Sequence, residues 1–368
     1  MARVLDERAA VSAPADRPGH GAAFTDHMYT MSWTAGRGWH APRLRRLANL
    51  SVHPGTLGLH YGQVIFEGLK AFRHPGGGMA VFRPRLNALR FQRSARRLAM
   101  PELPAADFLL ALEEVVAADH AALSDDPEHS LYLRPLMYGS EANLMLRPSE
   151  EYEFLLLAFV AGGFFGDTVA PVSVFVSHDH SRALPGGTGD VKCAANYGPS
   201  FMAQRAAADA GCQQVVWLDS VEHRWIEEMG GMNLFFVRGT GSSAEVVTSP
   251  LTGTLLPGVT RDSLLVLAAR HGYRVTEERI SVDQWRTECA AGLITETFAC
   301  GTAAVVTPVG RVVDQGRSSW TVGDGTMGPV TTHLRTALTD VQRGRSADPD
   351  GWLHLVPSAA HRTFSGDS

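Results

Sequence analysis

The stretch GGTGDVKCAANYGPS, residues 186–200, sets a glycine-rich turn against a run of small residues, with Lys192 between them. That lysine is unusual by its rarity. The 368-residue chain carries 31 arginines and two lysines, Lys70 and Lys192. Where arginine fills almost every cationic position, a retained lysine is a candidate for work that a permanently charged guanidinium cannot do. A primary amine loses its proton when desolvated and can then attack a carbonyl. The stretch is not a phosphate-cradling P-loop, because the G-x-x-x-x-G-K-[ST] spacing is absent. Its glycines read instead as a turn that presents Lys192. Lys70, in FEGLKAFR with Arg73 nearby, reads as a solvated or salt-bridged lysine on a partly exposed element.

Working outward, small neighbours leave room for a flat ring beside Lys192, with Asn196 and Tyr197 within reach. IEEMGGMNLFF (226–236) puts Glu227 and Glu228 at the start of an apolar strand. That is either a solvent-facing strand end or a carboxylate aimed at a cationic ring nitrogen. PGVTRDS (257–263) opens a helix, whose free N–H groups favour an anion. ACGTAAV (299–305) is a small-residue turn suited to the same task. His178 and His180 lack a third nearby ligand, so no metal is expected.

Patterning gives a mixed α/β chain. Strands are expected at MAVFRP, LYLRPLMYG (131–139), YEFLLLAFVAG (152–162), VSVFVS, QQVVWLD, RWIEE and NLFFV. Helices are expected at 85–100, with Leu86, Leu89 and Ala95 on one side, at 108–123, through YGPSFMAQRAAADAG, and at 256–272. HYGQVIFEGLKAF (60–72) is read as entering a helix. The length argues for two domains: 1–165, with a mobile arm at 1–21, and 177–368, joined by a linker at 166–176.

A net charge of -5 and a pI near 6.3 argue against nucleic acid or an anionic membrane as partner. No apolar run approaches the roughly 18 residues of a membrane span. The N-terminus lacks a signal-type apolar core, and the four scattered cysteines fit a reducing compartment, so a cytoplasmic enzyme is expected.

Several segments, in order, resemble the branched-chain amino acid aminotransferases, pyridoxal-phosphate (PLP) enzymes of fold type IV. They are FTDHM (24–28), LHYGQVIFEGLKAFR (59–73), LYLRPL, VKCAANYGPS, GCQQVVWL, EEMGGMNLFF, LPGVTRDSLL and CGTAAVVTPV. The resemblance implies a smaller N-terminal α/β domain and a larger C-terminal domain with a barrel-like sheet, with PLP between them. It matches Lys192 to the Schiff-base lysine, Glu228 to the carboxylate facing the pyridine nitrogen, and Tyr197 to the phenol near the ring oxygen. It matches Arg90, Val259, Thr260 and Thr302 to the phosphate site. Phe66, Tyr132, Arg134, Phe164, Gly231, Thr302 and Ala303 match the substrate pocket. Tyr61, Leu144 and Leu146 match residues lent across a homodimer interface. The implied reaction is ping-pong transfer of an amino group between L-branched-chain amino acids and 2-oxoglutarate, through pyridoxamine phosphate.

The sequence also departs from the vertebrate-type pattern. Phe164 stands for a tyrosine, Gly231 for a threonine and His20 for a phenylalanine, while Ala304 and Thr307 occupy the C-x-x-C positions. The lost bulk at Gly231 suggests a roomier pocket. Two rivals share the fold, a D-amino acid aminotransferase and an aminodeoxychorismate lyase. A catalytically silent binding protein is a third, disfavoured by Lys192, Glu228, Tyr197 and Arg90 occurring together.

Overall fold

The computed structural model describes residues 21, 23–124, 126, 128–162, 169–316 and 318–356. Phe164, His20 and most of the N-terminal arm lie outside them. The first sheet begins with β1 (His27–Thr34), β2 (Gly38–Arg46), β3 (Val64–Phe66), β4 (Leu69–Arg73), β5 (Met79–Phe82), β6 (Ser130–Gly139) and β7 (Glu151–Ala161). The second contains β8 (Val172–Val176), β9 (Gln214–Leu218), β10 (Ile226–Met229), β11 (Met232–Arg238), β12 (Glu245–Thr248), β13 (Arg274–Glu277), β14 (Ile294–Gly301), β15 (Val305–Asp314) and β16 (Ser319–Thr321). The helices are α1 (Leu57–Tyr61), α2 (Pro84–Arg97), α3 (Ala105–Asp119), α4 (Phe201–Asp209), α5 (Val259–Arg270), α6 (Val282–Ala290) and α7 (Pro329–Gln342). The last strand, β17 (Leu353–Val356), returns to pair with β5, giving the order β17-β5-β4-β6-β7-β1-β2.

In the second sheet β10-β9-β8-β15-β14-β11 run side by side, and β10 also pairs with β11. Those pairings close a six-stranded barrel, which removes the sheet edges. Alternation along β11 explains the packing. Leu234 and Phe236 join Val174, Val216 and Val312 in one core, while Phe235 and Val237 face the other way. There they meet Leu264 of α5, Leu334 and Leu338 of α7, and Phe72 and Phe82 from the first sheet. One apolar cluster therefore joins the two sheets. Phe235 and Phe298, opposite each other in the β11–β14 ladder, stack at 5.1 Å.

Two elements differ from the sequence reading. Residues 60–72 hold the end of a five-residue helix and then two strands, β3 and β4. The apolar run IFEGLKAF is short and lacks helical periodicity, and Gly62 closes α1 in the left-handed conformation. On α2 the buried stripe is Asn87, Ala88, Phe91, Ser94 and Ala95, and Leu89 faces outward. No described helix is long and apolar enough to cross a membrane.

Candidate active site

A cavity of about 360 Å³ opens between the sheets, lined from both. Lys192 is held into it by backbone. Its N–H donates to Ser94 Oγ on α2 at 3.0 Å, and its carbonyl accepts from the Phe66 N–H at 3.1 Å. The preceding glycine turn is tied down by α2, where Arg93 donates to the Asp190 carbonyl and Arg97 to those of Gly186 and Gly187. Asn196 closes the following turn by donating to the Thr188 and Val191 carbonyls. The Lys192 amine is 2.8 Å from the Tyr197 hydroxyl and 4.9 Å from the Phe66 ring centroid.

Glu228 enters from β10 and is 2% exposed. Its Oε1 accepts from the Leu256 N–H at 2.6 Å, and its Oε2 lies 3.2 Å from Arg182 Nε. Burial pushes its carboxyl above the usual range; Arg182, the Leu256 N–H and Lys192 pull the other way. Glu227 is buried as well, so the reading of this pair as a solvent-facing strand end does not hold.

Arg90, on α2, makes a two-pronged pair with Glu67, both contacts at 2.7 Å. Asn87 Nδ2 and the Gly68 N–H also donate to Glu67, which is fully buried. Burial alone would raise the Glu67 carboxyl, but the charge and hydrogen bonds of Arg90 overcome it and hold the group below its ordinary range. A third Arg90 donor reaches the Pro257 carbonyl, just ahead of α5, so two of its five N–H donors are left for an anion. Val259 and Thr260 form the first turn of α5, where N–H groups have no intrahelical acceptor. The helix starts after Pro257 and Gly258, not at them. Gly258 is needed there, since a Cβ would lie 2.2 Å from Asn233 Oδ1.

The turn after β14 completes the wall. The Thr302 hydroxyl donates to the Gly68 carbonyl at 3.0 Å, and Ala303 lines the cavity beside it. Tyr132, Arg134, Phe66 and Gly231 also line it. Tyr132 stacks on Phe159 at 4.7 Å. Arg134 sits 5.0 Å above Phe66, and its buried Nε has no hydrogen-bond partner among the described residues. A Cβ at Gly231 would meet Tyr197 Cε1 at 3.8 Å, an ordinary contact, so the glycine leaves usable space.

Tyr61, Leu144 and Leu146 do not line this cavity. They are exposed on the first sheet's side, where the Tyr61 hydroxyl donates to the Leu144 carbonyl at 2.8 Å. Arg182 and Glu67 were missed by sequence reasoning. Glu67 stood inside the quoted FEGLK segment, yet its partner is 23 residues away on α2.

Residues 64–312 match the model of the amino-transferase class IV family. The chain belongs to that family. It is 52% identical to the probable branched-chain-amino-acid aminotransferase of Streptomyces coelicolor, over 95% of each chain. The branched-chain amino acid aminotransferase of Escherichia coli superposes with a TM-score of 0.73 at 29% identity, covering 90% of this chain and all of that one. The branched-chain amino acid aminotransferase of the organism abbreviated T.th., complexed with N-(5′-phosphopyridoxyl)-L-glutamate, gives a TM-score of 0.72 at 28% identity, covering 89% of this chain and 98% of that one.

Class IV aminotransferases use PLP, and the cavity of this family member fits it. The phosphate requires an anion seat, which the α5 N-terminus and the spare donors of Arg90 supply. A protonated ring nitrogen requires a carboxylate, and Glu228 is buried and held by Arg182. An aldehyde carbon requires an amine, and Lys192 is the lysine lining the cavity.

Proposed function

We propose that this aminotransferase exchanges the amino group between L-branched-chain amino acids and 2-oxoglutarate by a ping-pong route. The observation that carries the reading is the Lys192 amine, 2.8 Å from the Tyr197 phenol, in a cavity shared with buried Glu228 and the α5 N-terminus. The names of the relatives support the branched-chain assignment. The T.th. enzyme has been solved with both a glutamate adduct and 4-methylvaleric acid, a pair that matches the two substrate types.

PLP, when bound, supplies the electron sink for breaking the substrate Cα–H bond. Lys192 Nζ, freed when the amino acid binds, would take the proton from the substrate Cα and hand it to the cofactor's aldehyde carbon, and would run the same transfer backwards for the second substrate. Glu228 holds a proton on the ring nitrogen, with Arg182 fixing its orientation. Tyr197 donates toward the ring oxygen and orients the Lys192 amine. Arg90, Val259, Thr260 and Thr302 hold the phosphate. Phe66, Tyr132 and Ala303 wall the substrate. Arg134, with its unpartnered Nε, receives the second carboxylate of glutamate.

Gly231 leaves space that admits a bulkier branched or aromatic side chain. The functional unit is a cytoplasmic homodimer, with Tyr61, Leu144 and Leu146 closing the partner's pocket. The two domains follow the two sheets, so β8 (Val172–Val176), inside the expected linker, belongs to the second by its barrel pairings, and β17 belongs to the first. A panel of 2-oxo acids with glutamate as donor tests the assignment. Turnover of the leucine, isoleucine and valine oxo acids well above that of pyruvate is expected. Activity with D-alanine, or pyruvate release from aminodeoxychorismate, would overturn it.

A further inference from the structure

A second, smaller cavity of about 60 Å³ lies behind the Thr302–Ala303 turn, outside the site described above. Its lining is basic. Lys70 enters from β4, α7 presents Arg335, Thr339 and Gln342, and Arg343 caps its end, a spacing that puts all four on one side. Glu128 is the one carboxylate among the described lining residues, 4.0 Å from Arg335 and largely exposed. Two arginines and the Lys70 amine face one carboxylate, so positive charge is in excess around a space large enough for several waters or one small ion.

Each cation donates to a backbone carbonyl: Lys70 to Ala303 at 2.9 Å, Arg335 to Val306 at 3.0 Å, and Arg343 to His129 at 3.4 Å. Gln342 is buried in the lining with its side-chain oxygen unpartnered among the described residues, and flipping the amide would turn its NH₂ donors toward an anion. Val305 holds a φ of 61°, a conformation costly for a β-branched side chain.

We propose that this cavity binds a small oxyanion of the phosphate or carboxylate type, and that the bound anion braces the Thr302–Ala303 turn from behind. Lys70 would bridge the anion and the Ala303 carbonyl, while Arg335 would bridge it and the Val306 carbonyl. The like charges that now face one another would gain a common partner. Consistent with that uncompensated state, burial first, and Arg343 and Arg335 next, pull the Lys70 amine down to about 7, with Glu128 opposing. An effect on turnover rests on the proposed role of Thr302 and Ala303 at the active site; binding itself does not.

The test uses PLP-loaded enzyme, so that the cofactor's own phosphate seat is filled. Melting temperature is followed against inorganic phosphate, with sodium chloride at matched ionic strength as reference. The expected result is a rise of a few degrees in the wild type that is lost in both Lys70→Met and Arg343→Gln. If either variant fails to fold, the other carries the comparison. Crystals soaked in selenate should show an anomalous peak between Lys70, Arg335 and Arg343. No phosphate-specific rise in the wild type, an equal rise in the folded variants, or selenate found only elsewhere would overturn the proposal. A substrate KM that shifts with phosphate in the wild type alone would add the coupling. An unchanged KM would confine the anion to binding and remove the brace.

Discussion

The two lysines of this chain flank the same turn, residues 301–305, from opposite sides. Lys192 faces a wide cavity in which every buried acid has a cationic neighbour: Glu67 with Arg90, Glu228 with Arg182. Lys70 faces a narrow one in which cations outnumber acids among the described residues, and there its amine donates to the Ala303 carbonyl. Both were conspicuous by rarity, and both are buried or half-buried amines. What separates them is the surrounding charge and space. A reactive amine needs room for the carbonyl it attacks and a phenol to orient it, and only Lys192 has both.

The sharpest break between them is mutational. Lys192→Ala should lower kcat by about 10⁴-fold or more, since the proposed nucleophile and proton carrier go together. Lys70→Met should stay within roughly tenfold of wild type. Steady-state transamination on both variants measures the contrast; equal losses would erase the distinction. Next in size is the charge balance on the Lys192 side. Glu67→Gln leaves Arg90 buried without its acid and should cost about 3–5 kcal/mol of stability, read from denaturant midpoints. A change under about 1 kcal/mol would show that buried Arg90 does not depend on its acid.

The Lys70 side has a pH signature. The unfolded chain keeps this proton up to about pH 10, whereas the folded amine gives it up near 7. Between those limits the unfolded state binds more protons, so stability from this group rises with pH and is lowest at and below about 7. Lys70→Met should flatten the wild-type rise in melting temperature between about pH 7 and pH 9.5. Parallel profiles would contradict the burial argument. The smallest effect concerns the space beside Tyr197. Gly231→Thr should reduce kcat/KM for bulkier side chains relative to valine, by about 1–3 kcal/mol of discrimination. An unchanged leucine, isoleucine and phenylalanine profile would show that this space does not touch substrate.

Much of this was legible in the chain. Short apolar runs located β6, β7, β9 and β11, and PGVTRDS marked the start of α5. What sequence did not carry was long-range pairing. Lys70 looked exposed because nothing local tells a five-residue strand that α7 will cover it. Arg182 lies in a loop without pattern, and its partner Glu228 is 46 residues on, brought near by barrel closure. β17 pairs with β5 across most of the chain, a return that no local period encodes.

Lys192, and not Lys70, is proposed as the amine that carries the cofactor. Borohydride reduction of the PLP-loaded protein, followed by peptide mass spectrometry, tests it directly. A phosphopyridoxyl group on the peptide containing Lys192, with the Lys70 peptide unmodified, is the predicted result. Modification at Lys70, or at neither lysine in protein that absorbs as a PLP enzyme, would contradict it.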